Sequence, residues 1–108
     1  MSATSLRPGS VVIAYLQNPR ERVWGLIRSL DATGVVIEGI DLNSFDDWVR
    51  QVAEGGEGLA LSTVFFPLLR VEKLLLDADS ASVPSLSLRF ERRVGRSLAV
   101  VLGWREPD

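Results

Sequence analysis

Two apolar runs joined by a short polar turn constrain the fold of this chain more than any other feature. Both runs lie within Val23–Leu42 and are rich in Val, Ile, Leu and Trp, residue types that suit a pleated, half-buried surface. The joint, Asp31-Ala32-Thr33-Gly34, is short and ends in a glycine that can take a positive φ. The stretch therefore predicts a β-hairpin, which we expect at the centre of a small β-barrel.

Three further runs have strand character. Ser10–Gln17 precedes the hairpin, and Ser62–Phe66 and Val71–Leu76 follow it. Pro67 lies between the last two, and because proline cannot donate to a strand ladder, we expect a sharp bend there. Five short strands with tight turns favour a small five-stranded barrel.

Two segments show helical spacing. Residues 45–53 place apolar side chains on one face, with Ser44 as the predicted N-cap and Asp47 where a capping box places an acid. Residues 86–103 show the second helical pattern, which ends at Gly103. We therefore predict one helix inserted between strands three and four, and one C-terminal helix.

The 108 residues suit one domain by length. We expect a flexible N-terminus over residues 1–8, the barrel over 9–77, a linker over 78–85 and the C-terminal helix over 86–103. The first residues carry no apolar stretch typical of a signal peptide, and no apolar run approaches the length of a membrane span. We therefore expect a cytoplasmic protein with no membrane partner.

The chain contains no Cys and no His. Disulfides and thiolate chemistry are excluded, and the commonest general base and metal ligand is missing. No glycine-rich phosphate loop or nucleophile motif compensates for this. We therefore expect a protein that is not an enzyme and has no cofactor or bound metal.

The order of strands resembles the Sm-like (LSm) family of five-stranded, SH3-like barrels. The matching parts are SVVIAYLQ, the run from Trp24 to Asp31 with Gly25 near its start, the return strand VVIEGIDL, and TVFFPLLRVEKLLL. The resemblance covers about residues 9–77. It implies a mainly β fold, namely an Sm-like barrel with the two added helices.

The resemblance also implies a ring of six or seven subunits, in which strand four of one subunit pairs with strand five of the next. Family members often bind single-stranded, U-rich RNA around the central pore. Their contacts come from the loop after strand two and from the bend between strands four and five. By this resemblance, Asp31 and Arg70 are the candidate RNA-binding residues.

This chain departs from the family pattern at both loops. Val35 stands about where the family places an Asn, and the bend reads Pro67-Leu68-Leu69-Arg70 where the family usually carries Arg-Gly. Two functions therefore stay open. One is a homo-oligomeric protein that binds single-stranded RNA, and the other is a ring-forming scaffold or protein-interaction module without RNA binding.

Four arginines recur at helical spacing in the C-terminal segment: Arg89, Arg92, Arg93 and Arg96. Such a face suits phosphates, an acidic partner or anionic lipid. More often such a face is simply solvated, on a helix whose apolar side packs against the rest of the fold, and we favour this interpretation. A third alternative is contact with the acidic surface of the same or a neighbouring subunit, since residues 1–84 carry seven basic and eleven acidic side chains.

Strands four and five carry apolar residues on both faces, whereas a sheet with one solvated face would alternate. Such a pattern requires a cover, which the C-terminal helix, another subunit or both would supply, and we favour an oligomer interface. Its candidate residues are Val64, Phe65, Phe66, Leu74, Leu75 and Leu76.

A group of acids is a further candidate, as an acid–base pair or as ligands for Mg²⁺ or Ca²⁺. Its members are Glu38, Asp41, Asp46 and Asp47. Asp41 and Asn43 also suit a small binding site at the corner between strand and helix. We favour structural roles for all of them, at the helix start and in Asx turns.

Overall fold

The structure is a computed structural model that describes residues 6–55 and 61–104. Five strands, three α-helices and two short 3₁₀ turns follow one another in these ranges. Their bounds are β1 (Val11–Leu16), β2 (Glu21–Leu30), β3 (Gly34–Asp41), α1 (Phe45–Ala53), β4 (Ser62–Pro67), β5 (Val71–Leu76), α2 (Leu86–Val94) and α3 (Leu98–Leu102). The 3₁₀ turns are Leu42–Ser44 and Leu68–Arg70. Of the N-terminal residues 1–8 that were predicted to be flexible, residues 1–5 lie outside the described ranges.

The five strands form one antiparallel sheet in the order β4-β3-β2-β1-β5. The mainly β prediction with five strands is therefore confirmed. Strands β4 and β5 are the two edges, and the described residues form no ladder between them. The sheet is open, so the predicted closure into a barrel is not reached by hydrogen bonding.

Two facing glycines let neighbouring strands approach closely. Gly25 of β2 lies opposite Gly39 of β3. A Cβ at Gly25 would lie 2.6 Å from the Gly39 Cα atom, and a Cβ at Gly39 would meet the Trp24 carbonyl oxygen even more closely. Only glycine fits at these two positions, as expected where a sheet bends sharply.

The inner face of the sheet buries one apolar core. Its members are Val12, Ala14, Leu16, Ile27, Val35, Ile37 and Phe66. Leu74 of edge strand β5 packs on the same cluster as Phe66 of edge strand β4. Because side chains from both edges meet in one core, the sheet must be strongly curled around it.

The outer face of the sheet is covered by the helices. Its core contains Trp24, Phe45, Trp48, Val49, Phe90 and Leu98. The Trp48 ring stacks on Phe90, with centroids 5.0 Å apart, and Trp24 meets Phe45 edge to face at 4.8 Å. These contacts attach α1 and α2 to the sheet and to each other.

The C-terminal segment is two helices, where the sequence predicted one over residues 86–103. Gly95 takes a left-handed conformation at φ 80° and ends α2, and Ser97 begins α3 by accepting a hydrogen bond from the Val100 N–H at 3.2 Å. The Leu98 N–H also donates to Glu91 Oε2 at 2.9 Å, so the turn between the helices is hydrogen-bonded across. A Gly followed by a Ser cap is a stop and a start signal together.

Candidate functional site

The two loops that the resemblance assigns to RNA contact lie side by side. The Leu68 N–H, at the bend between β4 and β5, donates to the Thr33 carbonyl oxygen in the turn between β2 and β3 at 3.1 Å. The pairing of β3 with β4 brings these chain reversals to the same end of the sheet, since Gly34 lies opposite Pro67. The two loops form one continuous rim.

Asp31 organises its own turn. Its Oδ1 atom accepts from the Thr33 hydroxyl at 2.6 Å and from the Thr33 N–H at 2.8 Å. Those two hydrogen bonds, the hydroxyl first, hold the pKa of Asp31 below its usual value because they favour the charged form. The carboxylate therefore serves as an Asx-turn acceptor, whereas the resemblance implied RNA contact for it.

Gly34 has a different role from the one predicted. It begins β3 without a positive φ. A Cβ at this position would meet the Phe66 carbonyl oxygen and lie 2.7 Å from two ring atoms of Phe65. The glycine is required by the close approach of β4.

Arg70 faces its own chain. Its Nε donates to the Gln17 carbonyl oxygen at 3.0 Å, and one terminal nitrogen donates to the Pro19 carbonyl oxygen and to Glu21 Oε2, both at 2.8 Å. Only 26% of the side chain is exposed. The guanidinium thus joins the bend after β4 to the turn between β1 and β2, whereas the resemblance implied RNA contact for it.

The predicted arginine face is divided by the break at Gly95. Arg89 is paired with Asp46, 3.0 Å away, and its guanidinium lies 6.0 Å from the centre of the Phe45 ring. Arg92 and Arg93 are exposed on α2, while Arg96 lies beyond its end. Within residues 6–55 and 61–104, these last three arginines form no ion pair.

The positive charge of Arg92 affects the pKa of a nearby carboxyl group, that of Asp79. The Ser85 N–H donates to Asp79 Oδ1 at 2.7 Å. Hydrogen bonds from Ser85, the backbone one first, lower the pKa of Asp79, and the positive charge of Arg92 adds a smaller effect in the same direction. The predicted arginine face is therefore divided. Arg89 forms an ion pair with Asp46, and Arg92, Arg93 and Arg96 are exposed to solvent.

The candidate acids have structural partners. Glu38 accepts from Arg28 Nε at 2.8 Å, and Asp41 accepts from the Asn43 N–H at 2.8 Å. Asp46 pairs with Arg89, and Asp47 with Arg50 at 3.2 Å. Among the residues with described positions, no group of three or more acids lies close enough together to hold a metal ion.

The candidate interface residues divide by exposure. Phe66 is buried in the inner core and Leu74 packs against it, whereas Val64, Phe65, Leu75 and Leu76 are exposed on the two edge strands. Val64 lies opposite Ile37 and Leu76 opposite Val12, so both are on the inner face. Phe65 lies opposite Val36 and Leu75 opposite Ile13, on the outer face.

None of the helices in the described parts of the chain is long and apolar enough to cross a membrane. No protein-family model matches the chain, and no curated protein or solved structure matches it. What the molecule does is therefore argued from its own geometry.

Proposed function

We propose that this chain is a non-enzymatic, Sm-like protein that assembles with copies of itself, edge strand to edge strand. The observation that carries the proposal is the pair of free sheet edges. In the described part of the chain, β4 pairs only with β3 and β5 only with β1. Unpaired edges are templates for pairing with another chain. By the Sm-like resemblance, β4 and β5 are also the two strands that pair between neighbouring subunits.

Exposed apolar side chains on both edges support the same proposal. Phe65 on β4 is 51% exposed and Leu75 on β5 is 48% exposed. In a monomer, both edges would be exposed to water. Pairing of β4 of one copy with β5 of another would bury Phe65 and Leu75 together. Clusters of exposed apolar side chains commonly mark protein interfaces.

Light scattering over a range of protein concentrations tests the proposal. We expect a mass several times that of one chain at tens of micromolar, and a monomer at that concentration rejects it. Val64→Lys and Leu76→Lys are matched variants, because both side chains are 39% exposed on the inner face of opposite edges. Each should lower the mass, because lysine on an edge opposes strand pairing. Leu69→Lys, at a side chain 87% exposed in the bend, is the control.

Binding of single-stranded RNA is a second candidate function. The observation that favours it is the contact between Thr33 and Leu68, which forms one rim from the two loops that family members use for RNA. Arg70 contributes little free charge there, because its donors engage Gln17, Pro19 and Glu21.

Placing a negative or a positive charge at Leu69 tests RNA binding and leaves the Arg70 side chain unchanged. Filter binding of oligo-U at low salt should weaken in Leu69→Glu and strengthen in Leu69→Arg, because the phosphates would pass close to this exposed position. Val100→Glu, at a side chain 71% exposed on α3, is the control for a general effect of net charge, because it changes the charge by the same one unit as Leu69→Glu. Absence of oligo-U binding by the unchanged protein at low salt rejects RNA binding and leaves the assembly proposal standing.

A further inference from the structure

An apolar groove runs along the outer face of the sheet beside edge strand β5. Its volume is about 420 Å³. Its apolar lining includes residues of β1, β5, the start of α1 and the segment before α2, among them Ile13, Leu42, Phe45, Leu75, Val83 and Pro84. The groove therefore lies next to the β5 edge, and the predicted linker forms one of its walls.

The groove suits an apolar side chain better than a polar ligand. Val83 is 61% exposed and Leu75 is 48% exposed, although both line a concave surface. The charged groups at its rim are already paired. Asp46 bonds to Arg89, and Asp77 accepts hydrogen bonds from Trp24 and from the start of α2. What remains is concave apolar surface, from which water is favourably displaced.

The face of the sheet on which each side chain lies indicates which residue of a second copy would enter the groove. A sheet that continues from one copy into the next keeps its two faces, and neighbouring strands lie about 4.8 Å apart. Side chains on the same face of paired strands then touch. On β4, the outer-face aromatic is Phe65, and on β5 the outer-face apolar residue is Leu75, which lines the groove. Phe65 of one copy would thus arrive at the groove of another.

We infer that the Phe65 ring of one copy fills the groove beside β5 of a second copy and anchors the contact between them. The inference rests on the proposed edge-to-edge assembly and adds its anchor. It also gives the segment around Val83 and Pro84 a role, namely forming a wall of the receiving site. An aromatic side chain in a desolvated pocket is a common anchor of protein interfaces.

Two variants with complementary defects test the inference. Phe65→Asp removes the anchor and keeps the groove, whereas Val83→Asp puts a charge in the groove and keeps the anchor. Val83 lies outside β5, so this variant tests the groove separately from strand pairing. We expect each variant to be monomeric by light scattering at a concentration where the unchanged protein assembles. Mixed together, the two variants should form a one-to-one heterodimer. Phe65 of the Val83→Asp chain can enter the intact groove of the Phe65→Asp chain. No further chain can be added, because the anchor and the groove that remain unused are the altered ones.

The possible results separate this inference from the proposed function. If the unchanged protein is monomeric, both are rejected. If Val83→Asp assembles like the unchanged protein, the groove is not the receiving site, and edge assembly stands without it. If both variants are monomeric and the mixture stays monomeric, the pairing of Phe65 with the groove is overturned.

Circular dichroism must show that each variant is folded, and Phe65→Ala covers the case in which the aspartate variant is not. Removing a half-exposed aromatic ring from an apolar contact should raise the dissociation constant about 10- to 100-fold. Leu69→Ala is the matched control, since Leu69 is exposed but lies off both edges. Equal dissociation constants for these two alanine variants would overturn the inference.

Discussion

The indole N–H of Trp24 donates a hydrogen bond to Asp77 Oδ2 at 3.1 Å. The same carboxylate accepts from the Leu86 and Ser87 N–H groups, each at 2.9 Å, and from the Ser87 hydroxyl at 2.7 Å. Asp77 follows β5 directly, so one side chain joins the buried tryptophan of β2, the end of edge strand β5 and the first turn of α2. The segment after β5 is thus fixed at its first residue.

Asp77→Ala should lower the free energy of unfolding by about 2–4 kcal/mol. The variant leaves the buried Trp24 N–H unpaired and removes acceptors from the start of α2. Urea unfolding at one fixed protein concentration measures the change. Asp47→Ala is the control, because Asp47 makes an exposed ion pair with Arg50 and its loss should cost less than about 1 kcal/mol. Equal costs for the two variants would contradict the assigned role of Asp77.

Arg70→Ala should destabilise the fold by about 2–3 kcal/mol, since it removes charge-assisted hydrogen bonds to two carbonyl oxygens and to Glu21. Thermal unfolding compared with Arg92→Ala checks this. Arg92 is exposed and forms no ion pair within the described ranges, so its loss should change stability by about 0.5 kcal/mol or less. A fully stable Arg70→Ala protein would show that these hydrogen bonds contribute nothing.

Gly39→Ala should cost about 3 kcal/mol or more, because the added methyl group would overlap the backbone of Trp24, which cannot move without breaking the pairing of β2 with β3. Gly95→Asn is the comparison. Gly95 has open space around its Cβ position and a left-handed conformation that Asn tolerates, so its replacement should cost less than about 1 kcal/mol. Chemical denaturation of both variants measures the difference, and a reversed order would contradict the close approach of the strands.

Thr33→Val should raise the pKa of Asp31 toward its usual value, because it removes the hydroxyl that contributes most to the lowering. Carboxyl titration by NMR measures the pKa directly, with Thr63→Val as the control. Since the folded-state pKa is lowered, the stabilisation from Asp31 is complete above its unfolded pKa and is lost as pH falls through the folded one. An unchanged pKa in Thr33→Val would contradict the turn described for Asp31.

The strands were predictable because the signals that define them are local. Alternating or continuous apolar runs, a polar turn at Asp31 and a proline at the bend bound each strand within the sequence. The bounds of α1 and the N-cap position of Ser44 match the prediction, but the expected capping hydrogen bond does not form. The Ser44 side chain makes no cap hydrogen bond, and Asp41 instead caps the 3₁₀ turn before the helix. Asp41 and Ser44 are both residue types that cap helices, and the sequence alone does not show which of the two side chains makes the hydrogen bond.

The role of Arg70 could not be predicted from its neighbours in sequence. Its partners are about fifty residues earlier, in a turn that meets the bend only when β1 pairs with β5. The groove was equally hidden, because its wall comes from a segment that reads as a linker. By contrast, Gly95 and Ser97 are residue types that end and begin helices, so the break between α2 and α3 could have been predicted; the helical spacing over residues 86–103 favoured one helix instead.

The two edge strands have different sequences, STVFFP in β4 and VEKLLL in β5, so the proposed contact between β4 of one copy and β5 of another would have a direction. Each assembly of this kind begins with one unused edge and finishes with an unused edge of the other kind. It stops growing only when the rotation between successive copies brings these two ends together, and otherwise it continues as a helical filament. The angle between copies, and not the strength of the contact, therefore decides between a closed ring and an open fibre.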